Sequence, residues 1–158
     1  MSNYYNAAVC INGHIIDNTL YDEDTVDNFC NKCGGKIVTT CSNCGTKIRG
    51  QIISRHIVVP VEQRKPHSYC HECGNPYPWT EKAIFAMMKI LREEKLDNEL
   101  ISSIEDSIPD MLSETPGSSL AVIRLKKILS AVGKVTGDTI LKFVVTYGCE
   151  AVITALNL

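Results

Sequence analysis

The sequence predicts an α+β protein, a small two-metal ribbon module followed by a helical module. Three observations carry this. Six of the eight cysteines form C-x-x-C pairs (Cys30 and Cys33, Cys41 and Cys44, Cys70 and Cys73), each followed at once by a glycine, Gly34, Gly45 or Gly74. Short β-branched runs separate the pairs. From about Trp79 onward, apolar residues recur at helical spacing and only one cysteine, Cys149, remains. The predicted boundary falls there, with a double ribbon over residues 1–79 and a helical domain over 80–158.

A chain of 158 residues accommodates one compact domain or two small modules. Its 16 Lys plus Arg against 18 Asp plus Glu leave it near neutral, and neither half carries a basic tail of the kind that binds nucleic acid. Eight cysteines raise the alternative of a secreted disulfide scaffold. The opening MSNYYNAAVC lacks a basic stretch followed by an apolar one. With the cysteines also grouped in pairs, a cytoplasmic metal protein is the expectation.

A structural zinc ion takes four nitrogen or sulfur donors in a tetrahedron, and two cysteines separated by two residues reach it from one tight turn. A glycine after the second cysteine lets the chain leave that turn. Three pairs supply six thiolates, and two closed shells need eight donors. Cys10 and His14, in CINGH, supply the other two, with Gly13 easing the turn. The expected ligands are therefore Cys10, His14, Cys30, Cys33, Cys41, Cys44, Cys70 and Cys73, holding two structural zinc ions.

Between Cys33 and Cys41 lies GGKIVTT. At about 3.3 Å per residue it would hold its flanking pairs roughly 20 Å apart if extended, too far for one ion. Two pairings satisfy that separation. A sequential one joins Cys10, His14, Cys30 and Cys33, then Cys41, Cys44, Cys70 and Cys73, and is preferred because adjacent turns make ordinary hairpin ribbons. A crossed one joins the first pair to the third and the second to the fourth. A third arrangement, one ion inside a loop folded back at Gly34-Gly35, also stands. Seven thiolates and two divalent ions would move the formal net charge from −2 to about −5, further from phosphate attraction.

The expected strands are HIIDNTL after the first turn, KIVTT between the middle two, and QIISRHIVVPV before the last, ending or lying at an edge near Pro60. Such sheets bury little, so metal binding is expected to be part of the folding free energy. In GNPYPWT two prolines stiffen the backbone around Tyr77 and Trp79. Trp79 is read as a packing residue at the module junction, with an exposed recognition platform as the alternative. Lys47, Arg49, Arg64 and Lys65 are read as a solvated face, or otherwise as a small phosphate-binding edge. His56, His67 and His71 are spare imidazoles with no recognisable nucleophile or acid beside them, and His71 is expected to face solvent. No catalytic residues are assigned.

In the second half, Thr80 is expected to cap a helix through EKAIFAMMKILREE, with Ile84, Met87, Met88 and Leu91 as its apolar stripe. A second helix begins at Asp97 and runs toward Met111, kinked or ended by Pro109. Ser119 introduces a third. The last segment, DTILKFVVTYGCEAVITALNL, is read as one mostly apolar helix whose polar positions Asp138, Lys142, Thr146, Glu150 and Thr154 recur every four residues. It is expected to be buried centrally in the domain, against a second copy or partner with Val144, Val145, Val152 or Ile153 at the seam, or at a membrane. Lys142 and Glu150 disfavour the membrane, and Cys149 is read as a small buried hydrophobe.

CINGH (10–14), FCNKCGGKIVTTCSNCG (29–45), IRG (48–50) and YCHECGNPYPWT (69–80), with a weaker likeness through TPGSSLAVIRLKKILSAVGKVTGD, resemble an uncharacterised bacterial family of double zinc-ribbon proteins. The resemblance implies ligand roles for the eight residues named and brings no activity or substrate. The tail is separately similar to helical modules of bacterial conflict proteins, which implies an accessory role in defence. The functional expectation is a non-catalytic protein that mediates protein recognition or assembly, with homodimerisation through the C-terminal helices; the alternative is nucleic-acid binding.

Overall fold

The computed structural model describes residues 4–53 and 65–158. The chain divides into two units, Met1–Glu81 and Lys82–Leu158. The first is a β-strand region containing the cysteine pairs, and the second is helical.

Among the described residues of the first unit four strands form: β1 (Tyr4–Cys10), β2 (Ile15–Leu20), β3 (Ile37–Val38) and β4 (Arg49–Ile52). All the others pair antiparallel with β1. Against β2 the partners are Asn6↔Leu20, Ala8↔Asp17 and Val9↔Ile15. On the remaining edge β3 takes the C-terminal end (Val9↔Val38, Cys10↔Ile37) and β4 the N-terminal end (Tyr4↔Ile52, Asn6↔Arg49). Irregularities between Asn6 and Ala8 and between Ala8 and Val9 interrupt the β1–β2 ladder, and such bulges bend and twist a strand. β4 lies so close to β2 that a Cβ on Gly50 would lie 2.1 Å from the Asn18 carbonyl oxygen.

β1 was not among the expected strands, because Ala7–Cys10 is buried on both faces and shows no polar alternation. Its side chains alternate nonetheless. Ala7 and Val9 pack with Cys41, Ile48, Cys70, Tyr77 and Trp79. Ala8 and Cys10 pack with Leu20, Cys30 and Ile37. HIIDNTL forms β2 as expected, whereas KIVTT gives only the two-residue β3. The element expected over QIISRHIVVPV begins in β4; His56, Pro60 and Arg64 lie outside the described residues.

Six helices follow: α1 (Pro78–Glu93), α2 (Asn98–Glu105), α3 (Ile108–Leu112), α4 (Ser118–Ala131), α5 (Lys134–Tyr147) and α6 (Glu150–Ala155). Thr80 does not cap α1. The helix starts two residues earlier at Pro78, whose fixed φ suits a first turn, and the Thr80 hydroxyl donates to the Ser68 carbonyl at 2.8 Å. Met87, Met88 and Leu91 of the expected stripe are buried. Asp97 does cap α2, its carboxylate accepting from Glu99 N. Pro109 opens the separate helix α3 instead of kinking α2. Arg124 of α4 donates to the Ser103 carbonyl and to Ser107 Oγ at 3.1 and 2.7 Å, tying α4 to α2 and to the residue before α3.

The final segment is two helices, not one. Gly148 and Cys149 are extended, with ψ of 152° and 158°, and Cys149 N donates to Met111 O at 2.8 Å. That bond to the end of α3 turns the chain out of its helical path. Cys149 is half-buried at the N-cap of α6, not enclosed in a helix interior. Val144 and Val152 are buried within the unit, and Val145 is exposed. Among the described residues, no helix is long and apolar enough to cross a membrane.

Candidate metal centres

Three turns share one local geometry. In each, the glycine after the second cysteine has positive φ (67° at Gly34, 74° at Gly45, 72° at Gly74), a region L-residues with a Cβ rarely adopt. Its N–H returns to the carbonyl of the first cysteine at 2.7, 2.9 and 2.9 Å. A bridge closes each turn: Phe29 with Lys36, Thr40 with Lys47, Tyr69 with Pro76. The fourth turn differs, being the β1–β2 connection itself. There Cys10 N donates to His14 O at 2.9 Å and Gly13 N to Cys10 O at 2.8 Å. Gly13 has φ of 89°, and a Cβ there would lie 3.3 Å from Trp79 Cβ.

These turns bring the eight predicted residues into two groups, Cys10, His14, Cys30 and Cys33, and Cys41, Cys44, Cys70 and Cys73. Within each group the donor atoms all lie within 4.8 Å of one another. This is the sequential grouping. The seven-residue connection from Cys33 to Cys41 carries β3 from one group to the other, and neither the crossed arrangement nor a single-site loop is formed.

The spacing tests whether a metal fits. Four ligands around a tetrahedral ion with metal–sulfur bonds of about 2.3 Å place sulfurs about 3.8 Å apart, and sulfur and imidazole nitrogen about 3.6 Å apart. Cys10 to Cys33, Cys44 to Cys70 and Cys41 to Cys73 are separated by 3.7, 3.7 and 3.8 Å. His14 Nδ1 lies 3.4 Å from Cys10 Sγ and 3.7 Å from Cys30 Sγ. A disulfide needs about 2.05 Å, and all eight cysteines are free.

The surroundings ready several thiols for deprotonation. Asn12 Nδ2 donates to Cys33 Sγ at 3.3 Å, and with the Gly35 N–H it draws the Cys33 pKa down to about 6. Backbone N–H groups of Cys73 and Glu72 draw Cys70 down to about 6. The Asn75 N–H and then the Asn43 side chain lower Cys73. Burial raises Cys10. At Cys41 the N–H groups of Cys44 and Asn43 lower the pKa, but burial and the thiols of Cys73 and Cys44 override them, and the shift is upward. Hydrogen-bond donors and a bound cation both stabilise thiolate, so these groups support ligation.

Sequence reasoning missed Asn12 and the role of Tyr77. Asn12 sits inside CINGH, where the flanking ligands masked its amide. Tyr77 is buried, and that burial, with the neighbouring Cys70 thiol, raises its pKa. Trp79 stacks on Tyr77 with ring centroids 4.7 Å apart and donates from Nε1 to the His67 carbonyl at 2.9 Å. It is a core residue of the ribbon unit, not an exposed platform. Of the four basic residues read as a solvated face or phosphate-binding edge, Lys47 pairs with Asp22 at 2.5 Å and Arg49 lies over the Tyr4 ring, while Arg64 lies outside the described residues.

The family profile described as "Uncharacterized protein conserved in bacteria (DUF2321)" matches residues 3–156. The chain belongs to DUF2321. In this DUF2321 chain both four-donor groups and most of the helical unit fall within the matched span. No curated protein and no solved structure matches it.

Proposed function

We propose that this DUF2321 protein binds two structural zinc ions and acts, without catalysis, in protein recognition or assembly. The observation that supports this reading best is that each group brings four nitrogen or sulfur donors to tetrahedral spacing. A catalytic zinc keeps a position for water, whereas four protein donors fill the shell. The ions then hold a small sheet rigid. Exposed aromatic and aliphatic residues are available for contact, Tyr21, Phe29 and Ile52 on the ribbon unit and Phe85, Leu120 and Ile123 on the helical unit. Self-association is one form this takes. With Val144 and Val152 buried in their own unit, a seam in the helical unit would draw on Val145, Leu120 and Ile123.

The test has three readouts on metal-loaded protein: zinc content, solution mass across a concentration series, and binding to single- and double-stranded nucleic acid at low and moderate salt. The reading expects two zinc ions, and a mass above the monomer that falls when Leu120 and Ile123 are changed to Ser. Salt-sensitive binding of nucleic acid with a strictly monomeric mass would overturn it in favour of nucleic-acid binding.

A further inference from the structure

One cavity in the ribbon unit is not accounted for by metal binding. It has a volume of about 120 Å³ and is lined by Tyr4, Arg49, His67, Tyr69, His71 and Tyr77. Among the described residues its lining gathers one guanidinium, two imidazoles and three phenols, and no carboxylate. His71, expected to face solvent, is part of this wall while remaining exposed on its other side.

Arg49 is the centre of the cavity's chemistry. Its guanidinium carbon lies 4.8 Å from the centroid of the Tyr4 ring, a cation–π placement that restrains the fork without neutralising it. The ion pairs found among the described residues are Lys47 with Asp22 and Arg92 with Glu105, and neither involves Arg49. Desolvation, then the Arg49 charge, lowers the pKa of His67, which stays exposed on its other side. Arg49 therefore supplies the cavity's full positive charge, with the imidazole and phenol groups of the lining around it. Tyr77 is buried in the same cluster as Cys70.

We propose that this cavity binds a tetrahedral oxyanion, either phosphate or the terminal phosphoryl group of a phosphomonoester, with Arg49 as its principal partner. A planar guanidinium matches two oxygens of such an anion at once. A volume of about 120 Å³ admits a phosphate group. The four-thiolate centre that includes Cys70 would carry a formal charge of −2 when loaded with a divalent ion and would oppose the anion, so the expectation is weak binding, with a dissociation constant on the order of 1 mM. The site goes beyond the recognition reading and does not depend on what the ribbon or the helices dock against.

The experiment is a titration of metal-loaded full-length protein with inorganic phosphate and separately with phenyl phosphate, followed by phosphorus NMR line width. The expected result is saturable broadening that sulfate displaces. Arg49→Gln should weaken it about tenfold or more, and Arg49→Lys, which keeps the charge but loses the fork, by less. Zinc content and Trp79 fluorescence report whether each variant is folded, and Arg49→Lys carries the comparison if Arg49→Gln fails to load metal. Tighter binding of phenyl phosphate identifies an ester group stacked on the aromatic wall, whereas equal binding identifies free phosphate. Absence of saturable broadening up to about 20 mM, or equal binding in folded Arg49 variants, would overturn the proposal.

Discussion

Gly50→Ala tests the closeness of β4 to β2, on which the shape of the ribbon unit rests. An ideal Cβ at Gly50 would lie 2.1 Å from Asn18 O, 2.7 Å from Asn6 O and 2.8 Å from Asn18 C. An ordinary carbon–oxygen contact is about 3.3 Å, so the Asn18 backbone and β4 would have to part by about 1.2 Å. Overpacking against side chains that can yield costs about 1–3 kcal/mol. Here every obstacle is backbone, and the movement also strains the β1–β4 ladder at about 1 kcal/mol per hydrogen bond. The expected loss is therefore about 3 kcal/mol or more, a fall in urea midpoint of about 2 M for a denaturant slope of about 1.5 kcal/mol/M. Trp79, buried in the same cluster as Ile48, reports the transition by fluorescence in metal-loaded protein. A midpoint within about 0.3 M of the parent would refute the close approach and the curled sheet drawn from it.

Metal content should be two zinc ions per chain. Cys30→Ser should labilise only the ion held with Cys10, His14 and Cys33, and Cys41→Ser only the other. Cobalt substitution distinguishes the two, since a shell of three thiolates and one imidazole differs in spectrum from a shell of four thiolates; one variant disturbing both spectra equally would contradict the grouping. Asn12→Ala removes the donor to Cys33 Sγ and should speed chelator extraction from the first centre by about 10-fold or more, as loss of groups behind metal ligands does, with extraction from the second unchanged. Stripping both ions should abolish the Trp79 signal of the folded ribbon while most helical circular dichroism persists, since the two units are separately compact. Gly148→Ala places a Cβ 2.4 Å from Val144 O and should lower the thermal midpoint of the helical unit by several degrees.

The two four-donor groups were legible because ligand chemistry imposes spacing. Two donors on one turn need the C-x-x-C interval, and the glycine that follows records the positive φ at the turn's exit. Counting donors to a closed shell then drew in Cys10 and His14. The strand between the two cores was not legible, since Ala7, Ala8 and Val9 are buried on both sides and small residues carry little propensity for either regular structure. Helix existence was readable from apolar spacing, but helix ends were decided by tertiary bonds. The Thr80 hydroxyl goes to Ser68, and Cys149 leaves the helical path to reach Met111. Gly148 and the acidic Glu150 in the first turn of α6 were the local signs of that break. They were overridden by the four-residue polar repeat running through it. The cavity around Arg49 was invisible in sequence because its walls come from β1, β4 and the last cysteine turn.

The alternation along β1 also sets a timetable for a chain emerging from the ribosome. Ala8 and Cys10 face a core completed by Cys30 and Ile37, so the first centre can close once those residues are out. Ala7 and Val9 wait for Tyr77 and Trp79, and Trp79 follows Ile37 by 42 positions. At a synthesis rate of about 5–20 residues per second, one side of the strand stays uncovered for about two to eight seconds after the other is closed. During that interval a metal ion bound by the first group would be a clasp on a half-built sheet, keeping an apolar strand in register at the stage when nascent chains most readily stick to one another.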